Sequence, residues 1–170
     1  GMAMVAATAP WKGLRRGGGA AAGDSASPAP APRGRVAILV GCVQEGLYGR
    51  VNAATVRVLE ANGFQVVPVP GQDCCGALHA HSGDLEGARA RARVNVERFE
   101  ISGVERVVVN AAGCGATMKE YRHLLAREPA FAQRAAALSA KVRDVHEILA
   151  EVGLRHGAAV PCRVAFDYPC

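Results

Sequence analysis

From Arg35 onward the apolar residues come in short bursts separated by stretches of helical periodicity. Val36-Ala-Ile-Leu-Val40 is a continuous apolar run, the mark of a strand buried on both faces. Val51, Ala54, Thr55, Val58 and Leu59, closed by Asn62-Gly63, follow helical spacing with a glycine stop. Phe64–Val69 predicts a second strand. Asp84 is an N-cap for a helix running to about Glu100. Val104–Asn110 predicts a third strand, followed by a helix from about Ala116 to Ala126. Helices are further expected over Pro129–Ala140 and His146–Val152, with a short strand at Lys141–Val145 between them. Arg163–Tyr168 reads as a last strand. Strand and helix alternating at this spacing predict an α/β fold, three layers deep, with a mostly parallel sheet, flanking helices and right-handed crossovers.

The first 34 residues break this grammar. They hold 10 Ala, 7 Gly and 4 Pro, too little apolar surface to offset the entropy of ordering, so residues 1–34 are expected to form a disordered leader or linker. Gly1 before Met2 has the look of a cleaved tag. Charge shifts with the boundary. The whole chain of 170 residues carries +5. Lys12, Arg15, Arg16 and Arg33 against Asp24 place +3 of that in the leader, leaving only +2 on the folded part. A basic nucleic-acid face is therefore not expected. No run approaches the 18 or so apolar residues of a membrane span, and there is no secretory signal, which points to a cytoplasmic protein.

Six cysteines then decide the chemistry. Cys42 follows the first predicted strand, Cys74 and Cys75 the second, Cys114 the third and Cys170 the last. In a parallel sheet these ends share one edge, where open α/β folds place their sites. Cys162 precedes its strand and reads as an ordinary small hydrophobe. The others sit beside glycine (Gly41-Cys42, Cys75-Gly76, Gly113-Cys114-Gly115), where the backbone can bend sharply and approach something closely. Thiols gathered from separate loops make a soft-ligand cage suited to zinc or iron–sulfur, and helix N-termini are expected to favour the thiolates, Cys114 most of all. Spacing alone leaves zinc and iron both open. Adjacent Cys-Cys is less usual for tetrahedral zinc than a Cys-x-x-Cys knuckle. His79, His81 and Asn110 are candidates for hydrogen bonding to the thiolates, and Asn52 is a further residue that could face them. Lys119 and Tyr121 are expected on an outward helix surface. No Ser-His-Asp pattern or phosphate-binding Gly-x-Gly-x-x-Gly loop is present.

Arg35-Val-Ala-Ile-Leu-Val-Gly-Cys42 is echoed by Arg163-Val-Ala-Phe-Asp-Tyr-Pro-Cys170. Residues 35–162 thus read as one unit and 163–170 as the opening strand of a second, truncated one.

Cys42, then 31 residues, Cys74-Cys75-Gly76, then 37 residues and Cys114 resembles the cysteine-rich CCG domain of the heterodisulfide reductase B-subunit-like family. Within that family the chain is most similar to the iron–sulfur subunits of glycolate oxidase. The stretches that carry the likeness are Gly41–Gln44, Val51–Arg57, Pro70–His81, Val109–Gly115 and Met118–Tyr121.

The resemblance implies a Rossmann-like CCG unit and a non-catalytic, electron-transferring subunit of a flavin-linked 2-hydroxyacid (glycolate or lactate) dehydrogenase. Cys42, Cys74, Cys75 and Cys114 would be the ligands of a 4Fe–4S cluster in the intact protein. The implied partner is a flavin-containing dehydrogenase subunit, with no nucleic acid, no membrane span, and peripheral attachment at the inner face of the membrane through the complex. A homodimer of the chain is a further expectation, because the second unit's unpaired strand is exposed. One departure stands out. The family pattern ends Cys-x-x-Cys, whereas Cys114-Gly-Ala-Thr117 ends in threonine, so a fifth thiol is missing. Two other readings remain open: a docking domain with zinc or bare thiols, and a thiol enzyme with Cys114 as nucleophile.

Overall fold

A computed structural model describes residues 31–155, together with 157, 161–163 and 165. Its elements are β1 (Arg35–Ile38), α1 (Val43–Ala61), β2 (Gln65–Val66), α2 (Ala77–His81), α3 (Leu85–Ser102), β3 (Arg106–Val109), α4 (Ala112–Lys119), α5 (Tyr121–Leu124), α6 (Ala132–Lys141), β4 (Val142–Asp144) and α7 (Val145–Val152). The strands form one sheet in the order β2-β1-β3-β4, parallel throughout, with Ala37 opposite Val107 and Val108 opposite Arg143. The expected three-layer α/β architecture is therefore present.

Strand periodicity sorts the core into two faces. Ala37, Leu39, Val107 and Val109 point to one side, where they meet Val96 and Phe99 of α3, Met118 of α4 and Leu138 of α6. Val36, Ile38 and Val108 point to the other, against Leu59 of α1 and Ile148 of α7. Both faces being covered explains why β1 and β3 are apolar at every position after their opening arginines.

The differences from the sequence expectation are local and have identifiable causes. The second strand shrinks to two residues: Val67 N still donates to Val36 O (2.8 Å), but Pro68 and Pro70 have no N–H to continue the ladder. The first helix starts at Val43, directly after Cys42, with a kink at Tyr48. Its inward stripe is Asn52, Thr55 and Leu59, while Val51 and Val58 face outward. The helix expected over 116–126 begins at Ala112 and divides at Glu120 into α4 and α5. Ser139 of α6 occupies the break, donating to Met118 O (3.0 Å) and accepting from Arg122 N (3.2 Å). The short α2 after Gly76 was not expected. Asp84 does cap α3, accepting from Gly87 N (2.9 Å), and Asp144 with Glu147 forms a capping box on α7.

Apart from Arg163 and Ala165, which are in no regular element, the last predicted strand and Cys170 lie outside the described residues, as does the leader before residue 31. Among the described residues no helix is long and apolar enough to cross a membrane.

Candidate functional site

Because β1, β2 and β3 run the same way, the chain leaves all three at one edge of the sheet. Cys42 stands at the N-cap of α1. Cys74 and Cys75 end the loop that follows Val69, and Cys114 sits in the first turn of α4. The four thiols form a row. The sulfurs of Cys42 and Cys74 are 3.3 Å apart, and Cys75 lies close enough to Cys74 and Cys114 for each to perturb the other's titration. Cys42 is exposed, Cys74 and Cys114 are half-buried, and Cys75 is 2% exposed. Gly76 N donates to Cys74 Sγ and Ala77 N to Cys75 Sγ, both at 3.5 Å. Cys162 is exposed and not part of the row.

The row titrates unevenly. The hydrogen bond from Cys75 lowers the Cys114 thiol, in the direction expected from sequence. Cys75 itself is pushed up to about 11, chiefly because it serves Cys114. Cys74 is pushed higher by its bond to Cys75 and by burial. Burial first, then the bond with Cys74, raises Cys42. The expectation that helix N-termini would favour all the thiolates is thus corrected for Cys42, Cys74 and Cys75. Four adjacent thiols cannot all ionise next to one another unless a cation compensates them.

Their donor set is that of a soft metal or an iron–sulfur cluster. Among the described residues, however, no three His, Cys, Asp or Glu side chains converge on a single ion position. The 3.3 Å between Cys42 and Cys74 is also shorter than the roughly 3.8 Å separating sulfurs that each lie about 2.3 Å from a tetrahedral zinc. The thiols match such a group in chemistry and must part to admit it.

The loop bearing Cys74 and Cys75 is held by residues that sequence reasoning passed over. Gln72 ties it to the end of β1, accepting from Val40 N (2.8 Å) and donating to Ile38 O (3.2 Å). Asp73 accepts from Cys74 N (2.7 Å) and from Arg91 of α3 (2.7 Å). The Arg91 guanidinium holds its proton more tightly, mainly because of Asp73 and further because of charge on Cys74 and Cys42. Asn95, fully buried on α3, accepts from Asp73 N (2.8 Å) and donates to Cys74 O (3.0 Å). Tyr121 was expected on the surface. It is fully buried instead and donates to Cys75 O (2.8 Å), because the break at Glu120 turns it inward. Burial keeps its phenol protonated. A signal for Asn95 did exist: an amide at a position belonging to the apolar stripe Ala88, Ala92, Val96, Phe99.

Of the other candidates, Asn110 donates to Asn52 Oδ1 (2.9 Å) and Thr55 Oγ1 (3.0 Å), anchoring α1 to the end of β3. Asn52 donates to Val40 O and to Glu45. His79 is half-buried, with Nδ1 shielded and without a partner among the described residues, and His81 is exposed. Lys119 pairs with Glu147 at 2.6 Å. A recess lined by Glu86, Arg89, His123 and Glu128 lies away from the cysteines.

A parallel sheet that gathers Cys42, Cys74-Cys75-Gly76 and Cys114 on one edge defines a class of module. Residues 36–119 match the family described as "CCG: Cysteine-rich domain", and the chain belongs to that family. More specifically, it is similar to iron–sulfur proteins of hydroxyacid metabolism. It is 41% identical over 118 residues, 69% of this chain and 27% of the relative, to the probable glycolate oxidase iron-sulfur subunit of Bacillus subtilis. It is 37% identical over 140 residues, 80% of this chain and 34% of the relative, to the glycolate oxidase iron-sulfur subunit of Escherichia coli. It is 31% identical over 137 residues, 79% of this chain and 56% of the relative, to lactate utilization protein A of an Exiguobacterium species. The chain thus spans about a third or less of the first two relatives.

Proposed function

We propose that this chain is the thiol-bearing part of an iron–sulfur subunit in the oxidation of a 2-hydroxyacid such as glycolate or lactate. Its partner in this reading is a flavin-containing dehydrogenase subunit, from which it receives electrons, and its setting is the cytoplasm. The observation that carries the proposal is the placement of four thiols from three strand-end loops along one sheet edge, with Cys42 and Cys74 in contact. The names of the relatives supply the hydroxyacid.

A cluster held by Cys42, Cys74, Cys75 and Cys114 would supply one-electron chemistry at this edge. The residues of the chain prepare for it. Amides of Gly76 and Ala77 point at sulfur and stabilise negative charge there. Arg91, held by Asp73, adds a cation beside Cys74 and Cys42. Half-burial of Cys74 and Cys114 limits water at the ligands. Because three of the thiols hold their protons tightly when metal-free, loading releases protons and is favoured by higher pH.

One observation favours a second reading. The close contact of Cys42 with Cys74, with no three metal-ligating groups converging among the described residues, also suits a docking domain whose thiols stay bare or take zinc. Iron and acid-labile sulfide are to be measured on the protein purified without oxygen. Brown protein with iron and sulfide in equal amounts, both lost in Cys74→Ser, supports electron transfer. Colourless protein carrying zinc or no metal overturns it.

A further inference from the structure

The adjacent pair Cys74-Cys75 has an unusual support. The backbone carbonyl of each cysteine is held by a buried side chain from a different helix. Asn95 Nδ2 donates to Cys74 O (3.0 Å) and Tyr121 Oη donates to Cys75 O (2.8 Å). The two supports are joined, since Asn95 Nδ2 also donates to Tyr121 Oη (3.1 Å). Asn95 Oδ1 accepts from Asp73 N (2.8 Å), so one amide grips the loop on both sides of the Asp73–Cys74 peptide. Both side chains are 0% exposed, and no water competes for these bonds.

Packing alone does not call for such an arrangement. Position 95 lies in the apolar stripe of α3, between Ala92 and Val96, where an aliphatic side chain would fill the core without needing partners. The amide and the phenol instead spend their polar atoms on the two peptides that set the directions of two neighbouring thiols. Gly76 completes the hold, because its left-handed backbone lets the loop lie against the Ala88 backbone of α3.

We infer that Asn95 and Tyr121 are positioning residues: a buried amide–phenol clamp that fixes Cys74 and Cys75 by their backbone carbonyls and so sets the spacing of the thiol row. The inference rests on the proposed role of these thiols as ligands, and it specifies which residues preorganise them. Neither residue touches a ligand or a transferred electron; each acts through the cysteine backbone.

Tyr121→Phe is the informative variant, because it removes one hydroxyl and keeps the ring that fills the core. The rates at which iodoacetamide alkylates each cysteine of the metal-free chain are to be measured by mass spectrometry. Freeing Cys75 O is expected to speed alkylation of Cys75 about tenfold while Cys42 stays within about twofold of the original rate. Asn95→Asp keeps the acceptor for Asp73 N but cannot donate to Cys74 O; it should speed Cys74 and Cys75 together, again sparing Cys42. In iron-loaded protein, Tyr121→Phe should shift the electron paramagnetic resonance spectrum and shorten cluster lifetime against a chelator, with iron content unchanged when freshly loaded. Equal acceleration at Cys42 and Cys75, or a lowered unfolding midpoint with unaltered rate ratios and spectrum, would show a purely structural role and overturn the inference. Wild-type protein that takes no iron defeats the proposed function but leaves the alkylation ratios to decide the clamp.

Discussion

Gly76→Ala tests how tightly the cysteine loop is pressed against α3. Gly76 has φ +83°, and a Cβ built there would lie 3.2 Å from both the Cα and the carbonyl oxygen of Ala88. Two costs follow. The left-handed backbone costs an alanine about 1–2 kcal/mol. The contact is with helix backbone, which cannot rotate away as a side chain can, and overpacking of this kind costs about 1–3 kcal/mol. The expected loss is therefore about 2–5 kcal/mol. Gly103→Ala is the control. Its φ is +64°, but the nearest atom to a built Cβ is the flexible Arg35 Nη1 at 4.0 Å, so it should show the backbone cost alone, about 1–2 kcal/mol. Urea unfolding of both variants beside the original chain measures the difference, and a thermal scan should place Gly76→Ala about 10 °C below the original. Equal destabilisation of the two variants would refute the close approach, and with it the claim that α3 sets the position of Cys74 and Cys75.

Arg91→Gln in cluster-loaded protein should lower the midpoint potential, because the guanidinium beside Cys74 and Cys42 favours the reduced, more negative state. For a half-exposed charge worth about 1 kcal/mol the drop is about 40 mV, and an unchanged or raised potential in protein-film voltammetry contradicts it. Glu147→Gln keeps the α7 capping box but loses the ion pair with Lys119. That lysine holds the Glu147 carboxyl below its ordinary 4.5, so the pair's contribution, about 0.5 kcal/mol at such exposure, is present above pH 4.5 and disappears as pH falls through the depressed value. Unfolding from pH 7 down to 3 should show the variant's deficit closing, and a deficit that persists at pH 3 assigns it to something other than charge. Cys162→Ser should leave iron content unchanged and stability within about 0.5 kcal/mol, whereas Cys75→Ser should lose iron retention; iron lost from Cys162→Ser would make Cys162 a ligand.

Much of the framework was legible along the chain. A strand covered on both faces must be apolar at every position, so β1 and β3 announce themselves without reference to anything distant. Asp84 is read as a cap because capping is a bond between residues two or three apart. The gathering of Cys42, Cys74, Cys75 and Cys114 also followed from sequence, since parallel strands oblige their ends to share an edge. What the chain alone did not determine depends on partners far away in sequence. Tyr121 reads as a surface residue until Ser139, from α6, occupies the break after Lys119 and turns the phenol toward Cys75. Asn95 reads as a flaw in an apolar stripe until the loop 21 residues earlier supplies its partners. The hold of Cys42 and Cys114 on their protons likewise depends in part on Cys74 and Cys75 from another loop, whereas that of Cys74 depends first on its neighbour Cys75. Period and local bonding are properties of neighbours in the chain, whereas the satisfaction of buried polar groups and the sharing of protons are set by what packing brings together.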